Sequence, residues 1–250
     1  MKKDIILRSL REKKITVYEK CRRLWESRYP HVKKPDTYFR EMFNEVFSPG
    51  AVVLDAGCGR ESAVPVAEGV ETRVGVDISR SFLEGNRNVH FKVVADLESL
   101  PFKDSVFDIV ISQFVAEHLK NPEKVIGEFG RVTKNQSHIL ILTTNALNYI
   151  AVATRLMPFL VQRFIKRRFL KIPDDEIYAV YYRCNTVFRL NRMMRRTGFR
   201  SEKVVFVGGP FYFSFSLLLF RIAMFFERIT DGRLRFLKFY FVVRYERKKS

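Results

Sequence analysis

The sequence predicts an α/β fold, doubly wound, with a mostly parallel seven-stranded sheet and an antiparallel edge strand. Three observations carry this expectation. Short apolar runs alternate with helical patterns between residues 51 and 147, as in a parallel sheet covered on both faces. The first run, Val52-Val53-Leu54, delivers Asp55, Ala56, Gly57, Cys58 and Gly59 into a turn. Further acidic residues, Asp77 and Asp96, close the next two runs.

Taken in order, the chain opens with Ile6, Leu10, Val17, Cys21 and Leu24 at mostly helical spacing among Lys and Arg, a basic amphipathic helix or pair over Ile5–Trp25. After Pro30 and Pro35, Asp36 or Thr37 is expected to cap a helix that carries Tyr38, Phe39, Met42, Phe43, Val46 and Phe47. Strands are expected at Ala51–Asp55, Thr72–Asp77, His90–Ala95, Phe107–Ser112 and Ser137–Thr144. Helices between them fall near Ser62–Glu68, Ser79–Asn86 and Pro122–Thr133, the last with Asn121 as cap and Pro122 in its first turn. A helix over Asn185–Thr197 ends at Gly198, Lys203–Val207 reads as a sixth strand, and Phe236–Tyr245 as a closing edge strand. The domain reading is a basic helical extension at 1–36 and one domain at 37–250, with insertions near 148–180 and 208–235.

The 250 residues suffice for one such domain with decorations. The net charge of +18 is unevenly placed. Residues 1–50 hold 13 basic and 7 acidic residues, 51–147 hold 10 and 13, and 148–250 hold 22 and 7. Basic flanks around a slightly acidic centre imply an anionic partner, lipid headgroups or nucleic acid. Cys21, Cys58 and Cys184 are odd in number and far apart, which excludes a disulfide framework and suggests no metal site. The first residues lack the pattern of a secretory leader, so the chain is expected to face the cytosol.

The glycine turn points to a nucleotide-like ligand, because glycines let a ligand approach the backbone closely. A dinucleotide is disfavoured: Ser62 stands where the third glycine of G-x-G-x-x-G belongs, and the carboxylate of Asp55 would repel a pyrophosphate. Asp77 suits the two ribose hydroxyls and Asp96 an exocyclic adenine amine, with Ala56, Ile78 and Leu97 in the same loops. Three carboxylates at successive strand ends suit a cationic sulfonium nucleoside.

This ordered set resembles the class I S-adenosylmethionine-dependent methyltransferases, in particular the broad Rossmann-like group similar to ubiquinone and menaquinone biosynthesis methyltransferases. The resemblance runs from about Tyr38 to Lys134, through Asp55–Gly59, Gly75-Val-Asp77-Ile-Ser79, Ala95-Asp96, Leu100-Pro-Phe102, Phe107-Asp108, Glu117-His118-Leu119, Glu128 and Arg131-Val132. It implies S-adenosyl-L-methionine as cofactor, and Ser112, Gln113 and Phe114 as lining for its methionine and adenine ends. Thr133–Ser137 departs from the Gly-Gly turn usual in that group.

Methyl transfer needs alignment and exclusion of water rather than a metal or a covalent nucleophile. Should a base assist, His118 and Tyr38 are the candidates, with His31, Tyr181 and Tyr182 behind them. In His118 a structural role at a helix start is the stronger reading. Arg183 is a candidate clamp for an acidic acceptor group and Tyr182 for packing against it; the competing reading makes Asn185 or Thr186 a helix cap and the tyrosines core. Phe206–Phe226 is almost wholly apolar but is broken by Gly208-Gly209-Pro210 and interrupted by Arg221. An interfacial or re-entrant helix on an anionic membrane is therefore expected rather than a spanning one, and the apolar-plus-arginine pattern of Asn148–Lys171 supports it. The resulting expectation is a peripheral membrane methyltransferase on the cytosolic face, acting on oxygen or carbon of a lipid-like or small-molecule acceptor. The alternatives are an RNA methyltransferase and a non-catalytic cofactor-binding membrane subunit. The interleaving of the basic residues with bulky apolar ones argues against RNA.

Overall fold

The computed structural model describes residues 16–62, 64, 72–156, 158, 160, 161 and 179–247. The expected helix over Ser62–Glu68, the first part of the one over Ile5–Trp25 and the second half of Asn148–Lys171 lie largely outside the described residues.

Seven strands form one sheet: β1 (Val52–Ala56), β2 (Thr72–Asp77), β3 (Phe91–Val94), β4 (Phe107–Gln113), β5 (Thr133–Thr144), β6 (Phe199–Val207) and β7 (Tyr240–Arg247). Their order is β3-β2-β1-β4-β5-β7-β6. The five N-terminal strands pair in parallel, and β7 runs antiparallel to both β5 and β6. The antiparallel strands thus gather at one edge, as expected. Within that edge one expectation is corrected: the closing strand lies between β5 and β6, and β6 is outermost. The continuous apolar run Phe241-Val242-Val243 of β7 reflects burial on both faces.

The described helices are α1 (Val17–Arg28), α2 (Pro35–Val46), α3 (Arg80–Gly85), α4 (Pro122–Val132), α5 (Tyr149–Leu156), α6 (Val187–Arg196) and α7 (Leu217–Ile229). Thr16 caps α1 in a reciprocal pair with Glu19, which satisfies two backbone donors at once. In α2 neither Asp36 nor Thr37 is the cap. Lys34 takes that position and Pro35 opens the helix, since proline supplies a helical φ and has no N–H to leave unbonded. Thr186, not Asn185, caps α6, its hydroxyl accepting from Arg189 N. Thr133–Ser137, in place of a Gly-Gly turn, forms the first part of β5; there Gln136 adopts the left-handed conformation, φ 56°, and the β4–β5 register shifts between Phe107 and Ile109.

On one face of the sheet, Val125, Ile126 and Phe129 of α4 and Leu190 and Met194 of α6 pack on Val110, Ile139, Phe241 and Tyr245. On the other, Phe39, Met42 and Phe43 of α2 cover Val53, Ile111, Leu140 and Val242. Each buried phenylalanine contributes about 2–3 kcal/mol of transfer free energy. The segment between β6 and β7 folds into a 3-10 turn (Pro210–Phe213), α7 and a second 3-10 turn (Gly232–Leu237). Phe220 of α7 packs with Cys21 and Trp25 of α1. Tyr149 of α5 stacks on Phe226 and Phe213, with ring centroids 5.1 and 6.3 Å away. No helix of the described residues is long and apolar enough to cross a membrane.

Candidate active site at the carboxyl edge of the sheet

At the end of β1 the chain turns through Gly57 and Gly59, whose φ values are 72° and 53°. The backbone N–H groups of Gly57 and Cys58 donate to Val76 O at 2.8 and 3.1 Å, so the turn is pinned to β2. A Cβ at Gly57 would stand 2.4 Å from a Val115 methyl, whereas one at Gly59 would meet open space. The two glycines therefore serve different ends: Gly57 allows close packing and Gly59 leaves room in front of the backbone.

Asp77 completes the turn. Its Oδ2 accepts from Gly59 N at 2.9 Å and its Oδ1 from Ser79 N at 2.8 Å. Each carboxylate oxygen has a further lone pair, so the group remains able to accept from two vicinal hydroxyls. Beside it, Ile78 is 72% exposed, an apolar surface suited to a flat ring. Asp96 is exposed and its Oδ1 accepts from Glu98 N at 2.9 Å, while Leu97 is buried beneath it. Ala95 N bonds Asp77 O at 3.2 Å, which brings these two loops together. Asn86, which sequence reasoning missed, is buried and donates to Cys58 O and Gly59 O, both at 3.1 Å. It holds the glycine turn from the other side.

The role expected of Asp55 changes. Its carboxylate accepts from Arg73 at 2.9 Å, with both side chains buried, and Arg73 also donates to Ser62 Oγ and Val64 O. Burial raises the Asp55 pKa, and the Arg73 guanidinium opposes that rise. The negative charge invoked against a pyrophosphate is thus balanced within the protein. The signal was present in Thr72-Arg-Val-Gly-Val-Asp77, where a cation occupies an inward position of a strand.

On the opposite side, the Ser112 hydroxyl donates to Ala56 O at 3.0 Å. Phe114 is left-handed, φ 55°, and its N–H bonds Leu142 O at 2.8 Å. Gln113 and Phe114 border a cavity of about 570 Å3 with Asp55, Gly57, Asp36, Arg40 and Glu61. Asp77, Ile78, Asp96 and Leu97 are not among its lining residues and stand on the adjoining loops. The fit to S-adenosylmethionine rests on this donor set. Asp77 and Ile78 suit the nucleoside, while Arg40 suits the carboxylate and Asp36 and Glu61 the ammonium of its amino-acid end. Asp36 and Arg40 lie one turn apart on α2; the sequence offered Asp36 only as a cap for that helix and gave no sign of Arg40.

The other candidates are held elsewhere. His118 Nδ1 donates to Ala179 O at 2.7 Å, and Arg183 Nη1 donates to Lys120 O at 2.6 Å. Neither lines the cavity, nor does Tyr38, over whose ring Lys33 stands at 5.9 Å. Tyr182 is buried, with φ 51°. Glu117 organises this corner: its backbone carbonyl accepts from Tyr181 N and Tyr182 N, and its buried carboxylate accepts from the Thr143 and Thr144 hydroxyls. Asn185 donates to Thr143 Oγ1 at 2.6 Å. Burial pushes the Glu117 carboxyl above its ordinary pKa. Tyr240, 5.8 Å from Phe114 by ring centroids, has its hydroxyl pKa raised by burial, so it stays protonated.

A parallel sheet with an antiparallel edge, a glycine turn after β1 and a carboxylate after β2 define the class I S-adenosylmethionine-dependent methyltransferase fold. The family model described as a methyltransferase domain matches residues 54–141, so that stretch is similar to a methyltransferase domain. An uncharacterised protein of Methanocaldococcus jannaschii is 33% identical over 94 residues, 38% of this chain and 41% of that one. Demethylmenaquinone methyltransferase of Renibacterium salmoninarum is 33% identical over 98 residues, 37% and 41% of the two chains. The chain thus spans less than half the length of both relatives. Among solved structures, geranyl diphosphate methyltransferase in complex with S-adenosylmethionine shares the fold, with a TM-score of 0.57, 16% identity and 85% of each chain covered.

Proposed function

We propose that this chain transfers the methyl group of S-adenosylmethionine to oxygen or carbon of a lipid-like or small-molecule acceptor, at the cytosolic face of a membrane. The cofactor supplies a methyl group on a cationic sulfur, which leaves as a neutral thioether. Asp77 holds the ribose, Arg40, Asp36 and Glu61 hold the amino-acid end, and Gln113 and Phe114 shape the wall beyond it. Protonated Tyr240 orients an acceptor as a hydrogen-bond donor rather than removing its proton.

The observation that carries the acceptor reading is α7. Leu218, Ile222, Phe225 and Ile229 form an exposed stripe on this helix, 47–69% accessible, on the side opposite buried Phe220, Ala223 and Glu227. Arg221 and Arg228 adjoin the stripe and are exposed. A helix that is apolar on its outer side suits the interfacial zone of an anionic bilayer. β6 runs parallel to β1–β5, since β7 is antiparallel to both β5 and β6, so α7, which follows β6, starts from the same carboxyl-end side of the sheet as the glycine turn. In this reading residues 1–36 are a basic extension of the domain at 37–250, and the insertion at 208–235 is its membrane contact. Labelled methyl transfer into an extracted lipid fraction, alongside an aqueous metabolite fraction and RNA, tests the proposal. Label confined to RNA or to no fraction refutes it.

A further inference from the structure

α6 presents a row of cations with no counter-charge among the described residues. Arg189, Arg192, Arg195 and Arg196 are all exposed, and the helix VFRLNRMMRR contains no acidic residue. No described carboxylate lies within ion-pair distance of any of them, and Arg189 Nη1 donates to Arg183 O at 3.5 Å. Other arginines of the fold are neutralised, as Arg131 is by Glu128 and Asp104, and Arg244 by Glu45 and Glu202. Like charges three and four residues apart on a helix repel one another by a few tenths of a kcal/mol, so an anion lying against the row stabilises it.

Next to the row is an apolar recess. A cavity of about 400 Å3 opens between Leu147, Val187, Phe188, Arg189, Phe206 and Phe236. Phe188 is 78% exposed at its mouth. A second recess, of about 390 Å3, runs on from Phe188 to Arg192, Arg195 and Arg196. The two share Phe188, so they adjoin, with one end apolar and the other cationic. Phe236 belongs to the 232–237 turn, which adds exposed Arg233 and Arg235.

We propose that α6 and the 232–237 turn bind the phosphate headgroups of an anionic phospholipid bilayer, with acyl carbon entering the recess beside Phe188 and Phe236. This assigns the charge-selective part of membrane attachment to α6 and leaves the charge-independent part to the α7 stripe, and so it rests on the membrane reading above. A lipid fits better than a polynucleotide because the recess is apolar and only one aromatic ring, Phe188, stands within the arginine row, where base stacking calls for a series of them.

The test is co-sedimentation of the full chain with vesicles of phosphatidylcholine alone and of phosphatidylcholine with phosphatidylglycerol, at low salt. Arg192→Gln/Arg196→Gln should lower partition onto the anionic vesicles about 30-fold, and Arg192→Gln alone about fivefold, with binding to neutral vesicles unchanged. Unaltered binding of S-adenosylhomocysteine confirms that each variant is folded. If the variants keep the full preference for phosphatidylglycerol, the α6 assignment is overturned while the membrane reading stands. If the unsubstituted chain sediments with neither vesicle, both fall. Tighter binding to a polyribonucleotide than to anionic vesicles at equal phosphate overturns the inference in favour of nucleic acid.

Discussion

Arg73 and Asp55 form an ion pair of 2.9 Å inside the sheet, on neighbouring strands β2 and β1, each side chain no more than 3% exposed. Two charges so far from water are stable only together, because removing one partner leaves the desolvation cost of the other uncompensated.

Arg73→Met should therefore lower stability at neutral pH by about 3–5 kcal/mol. Without the guanidinium, burial raises the Asp55 pKa further above the ordinary carboxylate range. A carboxyl raised on folding favours the fold below its unfolded pKa and loses that contribution as pH rises through the folded value. The deficit should shrink as pH falls from 7 toward 4. Urea melts across that range check it; a deficit that grows on acidification contradicts the account.

Asp77→Asn keeps one oxygen for the two backbone donors Gly59 N and Ser79 N, so it should lower stability by about 1–2 kcal/mol and weaken S-adenosylhomocysteine binding about 10- to 100-fold, the range for hydrogen bonds to a charged group. Calorimetric titration measures it.

Gly57→Ala and Gly59→Ala should part company. At Gly57 the new methyl meets Val115 at 2.4 Å in a left-handed backbone, so stability should drop by about 2–4 kcal/mol. Gly59→Ala meets no atom within 4 Å and should cost only about 1 kcal/mol for its positive φ. It should still impair cofactor binding, because the methyl projects into the open space before the turn. Melts and titrations on the same two variants separate the effects.

Lys238 is held by the Glu227 carboxylate at 2.8 Å, by Glu227 O at 2.7 Å and by Asp231 at 2.8 Å. It ties the end of α7 to the start of β7. Lys238→Met strands buried Glu227 and should cost about 3–5 kcal/mol, with faster protease cleavage within 208–235. Equal cleavage rates would contradict this anchoring.

Burial pushes the thiols of Cys58 and Cys184 up to about 12, and Cys21 is buried as well. All three should resist iodoacetamide at pH 8 in the folded protein and react once it unfolds, since the thiolate is the reactive form. Mass spectrometry of the alkylated chain gives the count.

Several elements were legible from local pattern because a local cause produces them. β1, β2 and β4 begin or end within a residue or so of expectation, since their apolar runs stop at turn formers. α6 ends before Gly198, which takes φ 85°, a conformation glycine adopts without a Cβ clash. The start of α2 was misread because Asp36, a good capping residue, lies inside the helix and faces the cavity instead.

The sequence by itself determined the sheet's parallel half, the glycine turn and the carboxylate of Asp77, because each depends on residues close together in the chain. Only the tertiary structure decided that Asp55 is neutralised by Arg73, that Arg40 and Glu61 join Gly57 and Gln113 at one cavity, and that β7 lies inside the edge rather than on it. These depend on pairings between distant segments, and a residue's type does not reveal which partner will balance its charge or cover its surface. The same reason separates the two apolar sides of α7: composition made both equally suited to burial, and packing against α1 chose which one remained in contact with solvent.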